Sequence, residues 1–146
     1  MSNRFKYHNE IANIQAQGIC CPPDELPVPN NLQTFRFVFE DPNHIKNHKP
    51  PGANNPQRVI TEKDQKKCSL YGLSCFKRPD SAKQFFSEHS KHIPKFYKAV
   101  GNVLSTGFLD GNDGLITEEG KHTHFDLFEF ENCNLSNKFT PIENLI

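Results

Sequence analysis

Thr34-Phe35-Arg36-Phe37-Val38-Phe39 is the stretch from which the fold is read. Aromatic and β-branched residues suit a pleated, half-buried surface, so this run predicts a strand. Period-two alternation puts Phe35, Phe37 and Phe39 on one face and Arg36 and Val38 on the other. Upstream, residues 1–33 read as a polar, Pro-rich lead. Within it His8 to Gln17 can form a short helix stopped by Gly18. Pro22, Pro23, Pro27 and Pro29 keep Cys20 to Asn31 out of regular structure. Downstream, residues 41–57 read as a long loop rich in Pro and Asn (Pro42, Asn43, Asn47, Pro50, Pro51). Arg58 to Thr61 predicts a brief strand, and Ser69 to Phe76 a buried one. Asp80 or Ser81 can cap a helix running from Ala82 to about Ser90. Tyr97 to Gly107 then predicts a strand, Asp110 to Gly114 a turn, Leu115 to Thr117 a short strand and His122 to Phe130 a long one. The tail, 132–146, reads as irregular.

Strands broken by one or two short helices imply an α+β chain with a small mixed or antiparallel β-sheet core. The 146 residues suit one domain, 1–146, whose compact core is expected over 34–131. Only 35% of the chain is hydrophobic, and 13 Phe carry much of that share, so the core should be small and aromatic.

Charge and cysteines bound the function. The formal net charge is +0, which argues against bulk nucleic-acid or anionic-membrane binding. No apolar run approaches the ~18 residues of a membrane span. Met1 to His8 lacks the apolar stretch of a secretion leader. With Cys20, Cys21, Cys68, Cys75 and Cys133 odd in number and no C-x-x-C pair, reduced thiols and a cytoplasmic setting are expected. The balance of charge is uneven. Lys77, Arg78, Lys83, Lys91, Lys95 and Lys98 make the helix region basic, while Asp110, Asp113, Glu118, Glu119, Asp126, Glu129 and Glu131 make the last strands acidic.

Three constellations could carry chemistry. His122, His124 and Asp126 fall on one face of a continuous strand and could point at one metal, although no resident metal is expected. Asp110-Gly111-Asn112-Asp113-Gly114 resembles a calcium loop, but position 6 from Asp110 is Leu115 rather than Gly, so a hairpin turn is the better reading. The third is dispersed: Arg36 in the first strand, Tyr71-Gly72-Leu73-Ser74-Cys75-Phe76 leading into a helix that opens Ser81-Ala82, and Glu129-Phe130-Glu131 in the last strand.

That dispersed set resembles the ADP-ribosyltransferase superfamily over about residues 34–131, most continuously over 71–107. The class using Arg, Ser and Glu fits better than the class using His, Tyr and Glu. The resemblance implies an NAD-binding protein that transfers ADP-ribose or cleaves nicotinamide, in the manner of a bacterial toxin or defence effector. It implies Arg36, Tyr71, Gly72 and Ser74 as NAD-binding residues, and Glu131, Glu129 and Ser74 as catalytic ones. The chemistry is coherent, since a carboxylate can stabilise the oxocarbenium-like charge that forms at the ribose and an arginine can grip the pyrophosphate. Departures are Leu73-Ser74-Cys75 in place of the family's Ser-Thr-Ser run and a long gap from Ser74 to Glu131. The competing reading is a non-catalytic protein-interaction module, such as an antitoxin, immunity protein or adaptor. The Phe-rich core, the long loop and the neutral charge all permit it.

Overall fold

The computed structural model describes residues 4–146; Met1 to Asn3, where the lead begins, lie outside the described residues. Helix α1 (His8–Gln15) precedes strand β1 (Leu32–Val38). Three short helices follow, α2 (Pro51–Asn54), α3 (Pro56–Thr61) and α4 (Gln65–Ser69). Then come β2 (Leu73–Phe76), α5 (Pro79–His92), α6 (Phe96–Val100), β3 (Val103–Leu109), β4 (Gly114–Ile116), β5 (His124–Glu129) and β6 (Thr140–Asn144). The strands form one sheet in the order β4-β5-β2-β1-β3-β6, with every neighbouring pair antiparallel. The α+β architecture is the expected one, and its sheet is wholly antiparallel.

β1 is the strand on which the layers are built. Thr34, Phe35, Arg36, Phe37 and Val38 are all buried, so the strand is covered on both faces. Phe35 and Phe37 meet Phe76, Leu104, Ala82, Phe86 and Phe96 beneath α5 and α6, forming a helical face. Burying each such aromatic ring contributes roughly 1.5–3 kcal/mol. The opposite face packs Leu73, Cys75, Leu109, Phe125 and Leu127 under Cys133, Leu135 and Phe139 from the tail, forming a loop face. A third cluster sets Phe128 of β5 against Ile11 and Ile14 of α1 and Cys68 of α4. Alternation along β5 places Phe128 on the helical face. That face therefore has two helical covers, α5–α6 over β1 and α1–α4 over the end of β5.

Several local expectations change. Residues 56–61 form α3 and not a strand, because Pro56 sits in the first turn where its fixed φ suits a helix. The stretch from Tyr97 to Gly107 divides into α6 and β3 at Gly101. That glycine has φ +94, and a Cβ there would lie 2.2 Å from the Val38 carbonyl oxygen. Phe39 lies beyond the end of β1 and stacks on His44 at 4.0 Å. The strand expected from His122 starts only at His124, because His122 (φ 60) and Thr123 (φ 57) are left-handed. The tail is ordered: Leu135 and Phe139 are buried, and β6 pairs with β3. Among the described residues six helices replace the one or two expected, and the core reaches beyond 34–131 into both the lead and the tail.

The expectation of reduced thiols is also corrected. Cys21 and Cys68 form a disulfide with their Cα atoms 5.5 Å apart, tying the lead to α4. Disulfides persist mainly in oxidising compartments, so the cysteine count no longer supports a cytoplasmic setting. Cys75 and Cys133 are buried free thiols, and Cys20 is an exposed one. Among the described residues, no helix is long and apolar enough to cross a membrane.

Candidate functional site

Alternation splits the polar residues of β1, β2 and β5 into two groups on opposite faces of the sheet. On the loop face, Arg36 is buried at 6% exposure. Its guanidinium donates to the Ser74 carbonyl, and its Nε donates to His48 Nδ1 at 3.3 Å. Burial first, then Arg36 and Lys6, hold the His48 imidazole down to about 3, so this ring is neutral at physiological pH. Lys6 comes in from the lead and donates to Glu129 Oε2 and to the Cys133 carbonyl, both at 2.8 Å. The Glu129 side chain is only 1% exposed. Its Oε1 has no hydrogen-bond partner among the described residues. Burial, followed by Glu129 and Asp113, pushes the Cys133 thiol upward, and burial pushes the Cys75 thiol up to about 12. These thiols are inert at neutral pH, because the thiolate is the reactive form.

The helical face carries the other group. Ser74 pairs with Asp126 across β2 and β5, and Phe76 pairs with His124. The Ser74 hydroxyl lies 3.1 Å from His124 Nε2, and Asp126 Oδ1 lies 3.8 Å from the same nitrogen. Ser74 is exposed although its strand neighbours Leu73, Cys75 and Phe76 are buried. The opening lies between the two helical covers. On one side Phe85 of α5 faces the His124 ring, with centroids 6.1 Å apart and planes 9° from parallel. On the other, Phe128 is sealed by α1 and α4. Burial first, then the Lys66 ammonium, lower the pKa of His124. Burial raises the Asp126 carboxyl to about 6, against the opposing effect of Lys66.

The residues singled out by the resemblance are distributed between these places. Arg36 and Ser74 project from opposite faces, touching only through the Ser74 carbonyl. Glu129 is committed to Lys6 on the loop face. Glu131 lies beyond the end of β5 and pairs with Arg4 at 2.9 Å. Arg36, Ser74 and Glu131 therefore do not line one cleft. Tyr71 is buried in the α1–α4 cluster and faces Tyr7 with ring centroids 6.0 Å apart. Gly72 makes room for Asp126: a Cβ there would come within 2.8 Å of the Asp126 Cβ. The metal alternative also loses its geometry. His122 turns away to Glu88 at 2.8 Å, leaving only His124 and Asp126 adjacent. Among the described residues, no three His, Cys, Asp or Glu side chains form a group that could hold a metal.

A surface feature that sequence reasoning did not find lies along α5, α6 and the end of the chain. Two open depressions of about 610 and 490 Å³ adjoin there, sharing Tyr97 and Ile146. Phe86, Phe96 and Leu145 line the larger one, and Lys83, Lys91 and Lys95 stand around it. The smaller one continues to Phe39, Glu40 and Asp41. The basic character of residues 76–98 was legible in the sequence. The pairing of this helix with the final residues was not, because the tail carries no periodic signal. No family model, curated protein or solved structure matches this chain.

Proposed function

We propose that this protein is an interaction module whose trough along α5, α6 and the chain end takes an extended, acidic segment of a partner protein. The observation that carries this reading is the pair of open, adjoining depressions, in which Phe39, Tyr97, Leu145 and Ile146 keep apolar surface accessible and lysines stand around the larger one. Buried aromatic contacts supply most of the affinity at such surfaces, and charge supplies orientation and on-rate. Lys83 is already engaged by Glu143 at 3.2 Å, so Lys91 and Lys95 are the cations offered to a partner. Their position assigns the acidic residues of the partner to the α5 end. The dispersal of Arg36, Ser74 and Glu131 weighs against the NAD-cleaving alternative.

Selection from a displayed random-peptide library tests the proposal. The expected winners combine Asp or Glu with spaced apolar residues, and they lose binding to the Lys91→Glu/Lys95→Glu protein. Failure to select any peptide, or selection indifferent to those reversals, overturns the reading. Nicotinamide release from NAD, faster with the unaltered protein than with Glu131→Gln, would favour the NAD-cleaving alternative instead.

A further inference from the structure

We propose that Ser74 is a nucleophile toward activated carboxylic esters, with His124 as its general base, in the opening between the two helical covers. This site is separate from the trough and does not depend on a partner there.

The chemistry needs a hydroxyl within hydrogen-bond reach of an unprotonated base and open to a substrate. Ser74 meets each condition. Its hydroxyl is 3.1 Å from His124 Nε2, and it is the one exposed position of β2. The imidazole is held from several sides. Phe76 meets it edge-on at 5.4 Å, and Phe85 faces it in parallel. Just before it, His122 and Thr123 hold left-handed backbone, which is costly for a β-branched residue such as Thr123. Both are tied down: His122 by Glu88, and Thr123 by the Lys77 amide, which donates to its hydroxyl at 3.2 Å. The entry of the chain into β5 is thereby fixed, and with it the aim of His124. Such strain persists only where the surroundings over-determine it, and it concentrates at functional positions.

Asp126 and Lys66 complete the arrangement. The Asp126 carboxylate lies 3.8 Å from Nε2, the nitrogen that receives the serine proton. It therefore stabilises the imidazolium by charge, without orienting the ring through Nδ1. Gly72 is what lets it stand there. Lys66 on α4 bears electrostatically on both His124 and Asp126.

The step balances as follows. Ser74 Oγ bonds to the ester carbonyl carbon while Nε2 takes the hydroxyl proton. The tetrahedral intermediate collapses, breaking the bond from carbon to the alkoxy oxygen, and Nε2 returns the proton to the departing alcohol. Water then adds to the acyl-serine as His124 Nε2 takes its proton; the bond from the acyl carbon to Oγ breaks, Nε2 returns the proton to Oγ, and the carboxylic acid leaves.

A fluorophosphonate reagent tests this directly: the bond from Oγ to phosphorus forms as the phosphorus–fluorine bond breaks. Peptide mapping should place a single adduct on Ser74. Labelling should slow about 100-fold in His124→Asn. Asp126→Asn, with a smaller loss expected, serves as a second variant should His124→Asn fail to fold. p-Nitrophenyl acetate should give an acetylated Ser74 peptide that is absent from Ser74→Ala. No adduct on Ser74 in the folded protein, or labelling as fast in both variants as in the unaltered chain, overturns the proposal.

Discussion

Two polar groups sit on opposite faces of one sheet and differ at their centres, a buried Arg36 and Glu129 against an exposed Ser74. On the loop face Arg36 and Glu129 are buried, and half-buried His48 and Lys6 bond to them. Ser74, His124 and Asp126 lie on the helical face, Asp126 three residues from Glu129 along β5, with Ser74 exposed and the other two half-buried. Ser74 belongs to both: its carbonyl accepts from Arg36 on one side while its hydroxyl faces His124 on the other. The difference lies in the covers. His48, which faces Phe139 of the tail, bonds to Arg36 and helps cover it, whereas Ser74 is left exposed between Phe85 of α5 beside His124 and the α1–α4 cluster over Phe128. An ionisable group under a closed cover must be paired or neutral, and one under a gap is available for chemistry.

The strongest way to break this contrast is to remove charge from the loop face. Lys6→Met leaves the Glu129 carboxylate buried without its cation, and should lower stability by about 3 kcal/mol in urea unfolding. Lys6→Met combined with Glu129→Leu should recover most of that loss. A loss below about 1 kcal/mol for Lys6→Met alone would show that the group is not held by charge pairing.

Acid titration probes the same group more gently. His48 is held down to about 3 when folded, against an ordinary 6.5, so the unfolded chain takes up the proton first as pH falls. Stability is then full above pH 6.5 and declines as pH drops toward 3. The decline should amount to about 2–3 kcal/mol at pH 4. His48→Asn should remove that component from a series of denaturation midpoints, and an unchanged acid slope would contradict it.

On the helical face the sign reverses. Asp126 rises from 3.8 to about 6 on folding, so the unfolded chain ionises first as pH rises. The cost to the folded state grows between those values and is constant above them. Asp126→Asn should therefore raise stability by about 1–2 kcal/mol at pH 8 and by nothing near pH 3. Destabilisation by this variant at pH 8 would place Asp126 among the structural pairs. The smallest effect is expected at Ser74. Ser74→Ala removes an exposed hydroxyl and should shift stability by no more than about 0.5 kcal/mol. A large loss there would mean that the opening is closed in solution.

What could be read in the chain follows from how local each signal is. β1 was legible because aromatic and β-branched residues report their own environment, and α5 because the spacing of Ala82 and Phe86 describes one helix; its start was not, since the helix begins at Pro79 after Arg78 with no side-chain cap, and Asp80 and Ser81 lie inside it. α3 and α6 were misread as strands because each is little more than one turn, too short for a helical period to outweigh β-branched content. β6 was missed because strand Thr140–Asn144 is exposed along its whole length and shows no alternation. In the candidate sites, Ser74 and Asp126 were each noticed for other reasons. Their adjacency depends on the β2–β5 register, and no feature of either segment alone specifies that.

By itself the sequence determined that the chain folds as α+β around an aromatic β1, that Phe35 and Phe37 oppose Arg36, and that its basic and acidic residues lie apart. Those properties rest on side-chain alternation and composition, which are local. Only the tertiary structure decided which cysteines pair, which face of β1 is closed, and that Arg36 and Ser74 point apart while Ser74 and His124 meet. Each of those depends on strand order and on which helix covers which strand, and these are set by long-range packing.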